Sequence, residues 1–228
     1  MNLVKPLYII GDIHGNFARL KQLVKDTDVR DCYLLCVGDL GIGFQYTVEG
    51  EIMGCKGLND FFRNRNINFY SIRGNHDDPD YFTGASRIAY SNFELLEDYT
   101  LLTINGEKLL CVGGAVSIDR RVRIPNRSWW EREGFVLDED KVQHCDVLIT
   151  HSAPTWIGPF DKDGISGWCE RDATLWDECF KERVAHDKLV KLCTPKRLYC
   201  GHFHEYHAVD FNECYGRILE ELEIVEHR

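Results

Sequence analysis

Leu7-Tyr-Ile-Ile-Gly-Asp-Ile-His-Gly-Asn-Phe-Ala-Arg-Leu-Lys-Gln-Leu-Val24 reads as a strand, a reactive turn and a helix in one uninterrupted stretch. Leu7–Gly11 is a short apolar run ended by glycine, the pattern of a buried strand. Asn16 offers a helix N-cap, and Phe17, Leu20, Leu23 and Val24 then recur at helical spacing. Asp12 and His14 fall in the turn between the two elements. The same unit recurs downstream. Cys32–Gly38 is a second apolar run and ends on Asp39; Phe61 and Phe62 belong to a predicted helix; Asn68–Arg73 is a third strand that runs into Gly-Asn-His-Asp at 74–77. Alternating strand, motif turn and helix predicts an α/β sandwich with its reactive groups at the strand ends, where open α/β sheets place their sites.

The second half repeats this logic with other connections. Asn105-Gly106 between Leu101–Ile104 and Glu107–Val112 is a type I′ hairpin signal. Val147–Thr150 predicts a strand leading to His151, and Arg197–Cys200 one leading to Gly-His-Phe-His at 201–204. Between them, Ala173 to about Cys193 predicts a long helix, with Leu175, Cys179, Val184, Leu189 and Leu192 on its inner face. The tail from Ala208 to Val225 predicts closing strands. No repeat, low-complexity tract or Pro/Gly-rich linker divides the chain, so residues 1–228 are expected to form a single domain.

Asp12, His14, Asp39, Asn75, His151, His202 and His204 together offer seven oxygen and nitrogen donors, about enough for two divalent metal ions, and paired metals imply phosphate-ester chemistry. Asp-x-His and His-x-His place alternate side chains on one side of a turning backbone, and the flanking glycines permit sharp turns. Asp39 can bridge two cations through its two oxygens. Imidazole and carboxylate without thiolate suit transition metals better than calcium. His144, His186, His207 and His227 lie outside the signatures and are expected to be ordinary surface or core residues, with His207 close enough to the His202/His204 loop to be the exception.

Composition narrows the field. Hydrophobic residues make up 44% and charged residues 28%, an ordinary globular balance. No apolar run approaches the roughly 18 residues that span a bilayer. The N-terminus runs directly into Asp12 and His14, leaving no room for a cleaved leader, so a cytoplasmic location is expected. The ten cysteines include no Cys-x-x-Cys and are read as reduced, mostly core residues. A formal net charge of −10 makes long nucleic acid a poor partner. The locally cationic stretch is Asp119–Gly134, where Arg120, Arg121, Arg123, Arg127 and Arg132 surround Trp129 and Trp130. It is either a substrate-facing lip or a solvated loop with packed tryptophans.

In order and spacing, these five signatures resemble the calcineurin-like metallophosphoesterases, whose pattern is Asp-x-His, Gly-Asp, Gly-Asn-His-Asp/Glu, a strand-end His and Gly-His-x-His. The resemblance spans positions 11–204. It implies a four-layer α-β-β-α sandwich with a dinuclear metal centre at the strand ends. It also implies that Asp12, His14 and His204 hold one ion, that Asn75, His151 and His202 hold the other, and that Asp39 bridges them. Manganese is the leading expectation, with iron, zinc, nickel and cobalt as alternatives. His76 resembles the family's proton donor, so the expected reaction is hydrolysis of a phosphate mono- or diester by in-line attack of a metal-bridging hydroxide, with His76 as general acid. Arg73 matches the Arg-Gly-Asn-His form of phosphoprotein phosphatases and symmetrical dinucleotide hydrolases; it reads equally as a phosphate clamp in substrate binding or as a structural ion pair.

One segment departs from that branch. Leu40-Gly-Ile-Gly-Phe44 follows Asp39, where those enzymes continue Gly-Asp-x-x-Asp-Arg-Gly. The missing Asp would orient His76, so another group must do so. A compact bacterial or phage-type phosphoesterase is the closer resemblance, acting on a small-molecule or nucleotide ester. A nuclease of the same superfamily and a noncatalytic interaction module are the alternatives. The sequence leaves the oligomeric state open.

Overall fold

The computed structural model describes residues 5–44, 47–159 and 163–228. Two β-sheets pack face to face. The first has the order β11 (Ile224–Glu226), β1 (Leu7–Ile10), β2 (Tyr33–Cys36), β3 (Asn68–Ser71), β4 (Phe93–Leu95). β1 to β4 run parallel, and β11 closes the edge antiparallel to β1. The second has the order β5 (Thr100–Ile104), β6 (Glu107–Val112), β7 (Val147–Thr150), β8 (Arg197–Cys200), β10 (Cys214–Ile218), β9 (His207–Phe211).

Side-chain alternation along the strands builds the layers. Leu7 and Ile9 of β1, Leu35 of β2, Leu109 and Cys111 of β6, and Val147 and Ile149 of β7 share the core between the sheets. Ile10, Leu34 and Cys36 point the other way, under helices α1 (Phe17–Asp26) and α2 (Val48–Arg63). There Phe69 stacks between Phe62 and Phe93, with ring centroids 4.6 and 5.4 Å away. Each such buried ring contributes about 1.5–3 kcal/mol relative to exposure. On the far side, Leu110, Leu148 and Leu198 pack under α4 (Leu175–Cys193) through Leu189 and Cys193. The result is a mixed α/β sandwich of two sheets flanked by helices.

Local signals act as read. The Asn16 side chain accepts the Arg19 N–H at 3.2 Å and caps α1. Asn105 and Gly106 take φ of 55° and 89°, as a type I′ hairpin requires. All ten cysteines are free, and eight are buried. The inner face of α4 departs from expectation. Val184 and Leu192 are exposed, whereas Glu182 and His186 are buried beside Leu175, Leu189 and Cys193. Two elements were not anticipated: β4, only three residues long, and the short helix α3 (Ser166–Cys169). No helix among the described residues is long and apolar enough to cross a membrane.

Candidate metal centre

Adjacent parallel strands deliver the candidate donors. Asp12 follows β1, Asp39 follows β2 and Asn75 follows β3; from the other sheet, His151 follows β7 while His202 and His204 follow β8. All seven gather at one end of the sandwich. His14 Nε2 lies 2.9 Å from His204 Nε2, which is itself 3.1 Å from Asp12 Oδ2. One ligand atom from each of Asp12, His14, Asp39 and His204 falls within 4.8 Å of the others. On the other side of Asp39, His151 Nε2 is 3.2 Å from Asp39 Oδ1 and 3.1 Å from Asn75 Oδ1. The His202 ring centroid is 5.1 Å from that of His151.

Asp39 therefore faces both groups: Oδ2 lies 3.8 Å from His14 Nε2 while Oδ1 meets His151. Two imidazole nitrogens and two carboxylates converging on one point make a donor set suited to a divalent cation. The cluster can coordinate one or two such ions.

Supporting contacts fix the donors. His151 Nδ1 is 2.9 Å from the Val37 carbonyl, which leaves Nε2 facing the site. The Asn75 amide donates to Ser117 Oγ at 3.1 Å, so its oxygen points inward. Asp12 accepts the His202 N–H at 3.0 Å, and Asp39 accepts the His76 N–H at 2.7 Å. Asp77, the last residue of the Gly-Asn-His-Asp signature, is buried and accepts N–H groups from Leu40, Gly41, Ile42 and Gly74 at 2.8–3.2 Å. It ties the divergent Leu40–Gly43 turn to the Asn75 loop.

Burial shapes the charges. Although burial raises it, the facing His151 imidazole holds the Asp39 carboxyl well below the usual carboxylate range. Burial likewise pushes His151 down, but Asp39 prevails and holds it at about 10. Burial pushes His202 well below its ordinary value, which favours the neutral imidazole that binds metal. His76 is pushed down to about 4, first by burial; the Asp39 charge opposes the shift and Arg123 reinforces it.

The two arginine readings resolve differently. Arg73 is buried. It pairs with Asp98 at 2.8 Å and donates to the carbonyls of Arg132, Glu133 and Gly134, the contacts of the structural ion-pair reading. Arg123 stands at the site: its guanidinium meets His76 Nε2 and donates to the Asn75 carbonyl at 3.2 Å. Asp119 pairs with it at 2.6 Å. Arg120 and Arg121 instead bind buried Asp172, and Arg132 binds Asp80, so the cationic stretch is largely spent on ion pairs. His207 stands apart with Glu205, while His144 meets Thr194 and His227 meets Glu107.

Sequence reading missed Ser117, Arg123 as a site residue, and Glu221, whose carboxylate is 3.3 Å from His204 Nδ1. Only the Asp119–Gly134 composition hinted at the second of these. Beside the donors opens a cavity of about 490 Å3, with Asp39, Asn75, His76, His202 and His204 on one wall.

Comparison with known proteins agrees with this geometry. The family profile described as calcineurin-like phosphoesterase matches residues 5–206. No curated protein sequence matches. The crystal structure of TT1561 of Thermus thermophilus superposes with a TM-score of 0.53 at 10% identity, over 96% of this chain and 90% of that one. A second solved structure reaches 0.57 at 12% identity over 99% of both chains. At such identities these likenesses establish the fold alone. The chain belongs to the calcineurin-like phosphoesterase family, and its clustered His and Asp side chains at the strand ends form a metal-dependent phosphoesterase-type active site.

Proposed function

From that membership, we propose that this hydrolase uses two divalent transition-metal ions, manganese foremost, to cleave a phosphate mono- or diester of a small molecule or nucleotide. Asp12, His14 and His204 would hold one ion and Asn75, His151 and His202 the other, with the Asp39 carboxylate available to both. The observation that carries this reading is the split of the Asp39 carboxylate, with Oδ2 toward His14 at 3.8 Å and Oδ1 toward His151 at 3.2 Å. Bound cations supply charge neutralisation at the phosphate and acidify a water.

The chain's own groups do the remainder. Ser117 keeps the Asn75 oxygen turned inward, and the Val37 carbonyl keeps His151 Nε2 facing the centre. Arg123, rather than Arg73, offers positive charge to the phosphate beside His76. An anionic phosphate at that point offsets Arg123 and raises His76, which then gives its proton to the departing alcohol oxygen. Water adds to phosphorus, the P–O bond to the alcohol breaks, and the products are the alcohol and the phosphate, or a monoester when the substrate is a diester.

The test is a screen of protein reconstituted with manganese, iron, zinc, nickel or cobalt against paired mono- and diesters, nucleotides and dinucleotides included. Asp39→Asn is expected to abolish hydrolysis and lower the bound-metal stoichiometry. His76→Ala is expected to keep its metal and lose about 100- to 10,000-fold in turnover. Failure of every metal-loaded form to hydrolyse any ester would overturn the proposal. A His76→Ala protein that has also lost metal would make His76 a ligand.

A further inference from the structure

The phosphate chemistry above occupies only one wall of the cavity. Another part of its lining is an apolar and aromatic wall: Trp168 on α3, Trp176 at the start of α4, and Phe203, with Ile118 and Ile165. Building on the proposed reaction, we propose that this wall binds the alcohol portion of the substrate. The chain is then selective for phosphate esters whose alcohol carries a flat aromatic ring.

Three observations carry the assignment. The first is size. About 490 Å3 lies within the range of pockets that enclose whole small molecules, well beyond the needs of a phosphate group alone. The second is continuity. Phe203 sits between His202 and His204 in the sequence, and its ring centroid is 5.0 Å from that of His202, so the aromatic wall begins at the metal centre itself. A ring attached through a short linker to a phosphate at the donors therefore reaches this wall.

The third is charge. The Arg183 guanidinium lies 5.5 Å over Phe203, but its terminal nitrogens donate to the carbonyls of Pro154, Ile157 and Pro159. Besides Asp39 among the donors, the acidic members of the lining are Asp119, Glu182 and Glu205, and Asp119 is paired with Arg123. With the terminal Arg183 donors committed to the chain's own carbonyls and Glu205 in the lining, this end disfavours a second phosphate or a carboxylate. An uncharged ring fits it, packing against the indoles and burying apolar surface, with the Arg171 guanidinium 5.9 Å over the Trp168 ring.

The reaction is unchanged in balance: the P–O bond to the aromatic alcohol breaks, water supplies the new P–O bond, and the alcohol leaves with a proton. Only the identity of the alcohol is specified.

The experiment compares 2-naphthylmethyl phosphate with ethyl phosphate, each also as its methyl diester. These alcohols have similar acidity, so the ratio of kcat/KM reports binding of the ring rather than leaving-group quality. Expected is a ratio of about 10- to 100-fold in favour of the naphthylmethyl ester, the worth of burying one aromatic ring. Trp168→Ala and Trp176→Ala should each cut that ratio by about threefold or more. A second readout needs no turnover: binding of 2-naphthylmethanol followed by quenching of tryptophan fluorescence, saturable in the unaltered protein and weakened in the variants. If a variant does not fold, the ratio and the alcohol titration of the unaltered protein decide alone. A ratio near one with no saturable alcohol binding overturns the inference while leaving the phosphoesterase reading intact. Saturable alcohol binding without hydrolysis of any ester supports the subsite and removes the reaction instead.

Discussion

Four of the seven residues proposed as ligands, His14, Asp39, His202 and His204, hold a positive backbone φ, between 49° and 70°. Each such non-glycine residue costs about 1 kcal/mol or more, so the turns after β1, β2 and β8 are strained in order to aim these side chains. Glycine enters beside them for a different reason, which is space. A Cβ on Gly74 would lie 2.0 Å from Asp39 Oδ1, and one on Gly201 would lie 2.0 Å from Asp12 Oδ1. This explains why the site was legible from Gly-x patterns: the glycines are the packing partners of the carboxylates. Ser117 and Glu221 were not legible because each reaches the site from a distant segment with no short signature of its own, and Arg123 was signalled only by the composition of its stretch. Gly201→Ala should therefore displace the Asp12 carboxylate and lower metal affinity at least about tenfold, the scale seen when support of a ligand is lost. Titration calorimetry checks this, with circular dichroism confirming the fold. Unaltered affinity would show that Asp12 tolerates the shift.

Helix α4 shows how an element can be legible in length yet misread in orientation. Its predicted span, 173–193, contains the observed Leu175–Cys193, because the apolar and helix-forming residues extend that far. Its buried face was obscured because two of its inward residues are polar. Glu182 and His186 carry the helix inward toward Phe135, whose ring centroid is 4.0 Å from that of His186 and whose N–H reaches Glu182 at 3.3 Å. Burial pushes His186 down from 6.5 to about 4, and pushes Glu182 up from 4.5 to about 7. The signs oppose each other. His186 contributes stability that is full above pH 6.5 and is lost as pH falls toward 4, up to about 3 kcal/mol. Glu182 contributes stability that is full below pH 4.5 and is lost as pH rises through 7. In urea unfolding at pH 7 and pH 4.5, His186→Phe should lose less stability on acidification than the parent protein. Glu182→Gln should lose more. Parallel slopes in all three proteins would show that neither group titrates differently on unfolding.

At the scale of the molecule, the chain order of the signatures does not reveal which strands share a sheet. The C-terminal strand β11 returns to the first sheet beside β1 after the second sheet is complete, a long-range pairing that no local pattern encodes. Yet this division gives the proposed metal centre its mechanical meaning. Asp12, His14, Asp39 and Asn75 belong to turns after strands of the first sheet, and His151, His202 and His204 to turns after strands of the second. Each ion, held as proposed, therefore takes ligands from both sheets, and the bound pair links the open end of the sandwich. Asp39 and His151, held as an ion pair without metal, link the same two sheets more weakly. Metal at about 1,000 times its Kd adds about 4 kcal/mol to folding stability, which for a chain of this size is about 8–16 °C in Tm. Calorimetric melting of the metal-loaded and chelator-treated protein measures this directly. Asp39→Asn should remove most of the difference, because it withdraws a carboxylate from both ions together. A Tm that chelation leaves unchanged, or an Asp39→Asn protein that responds as strongly as the parent, would separate metal binding from the joining of the sheets.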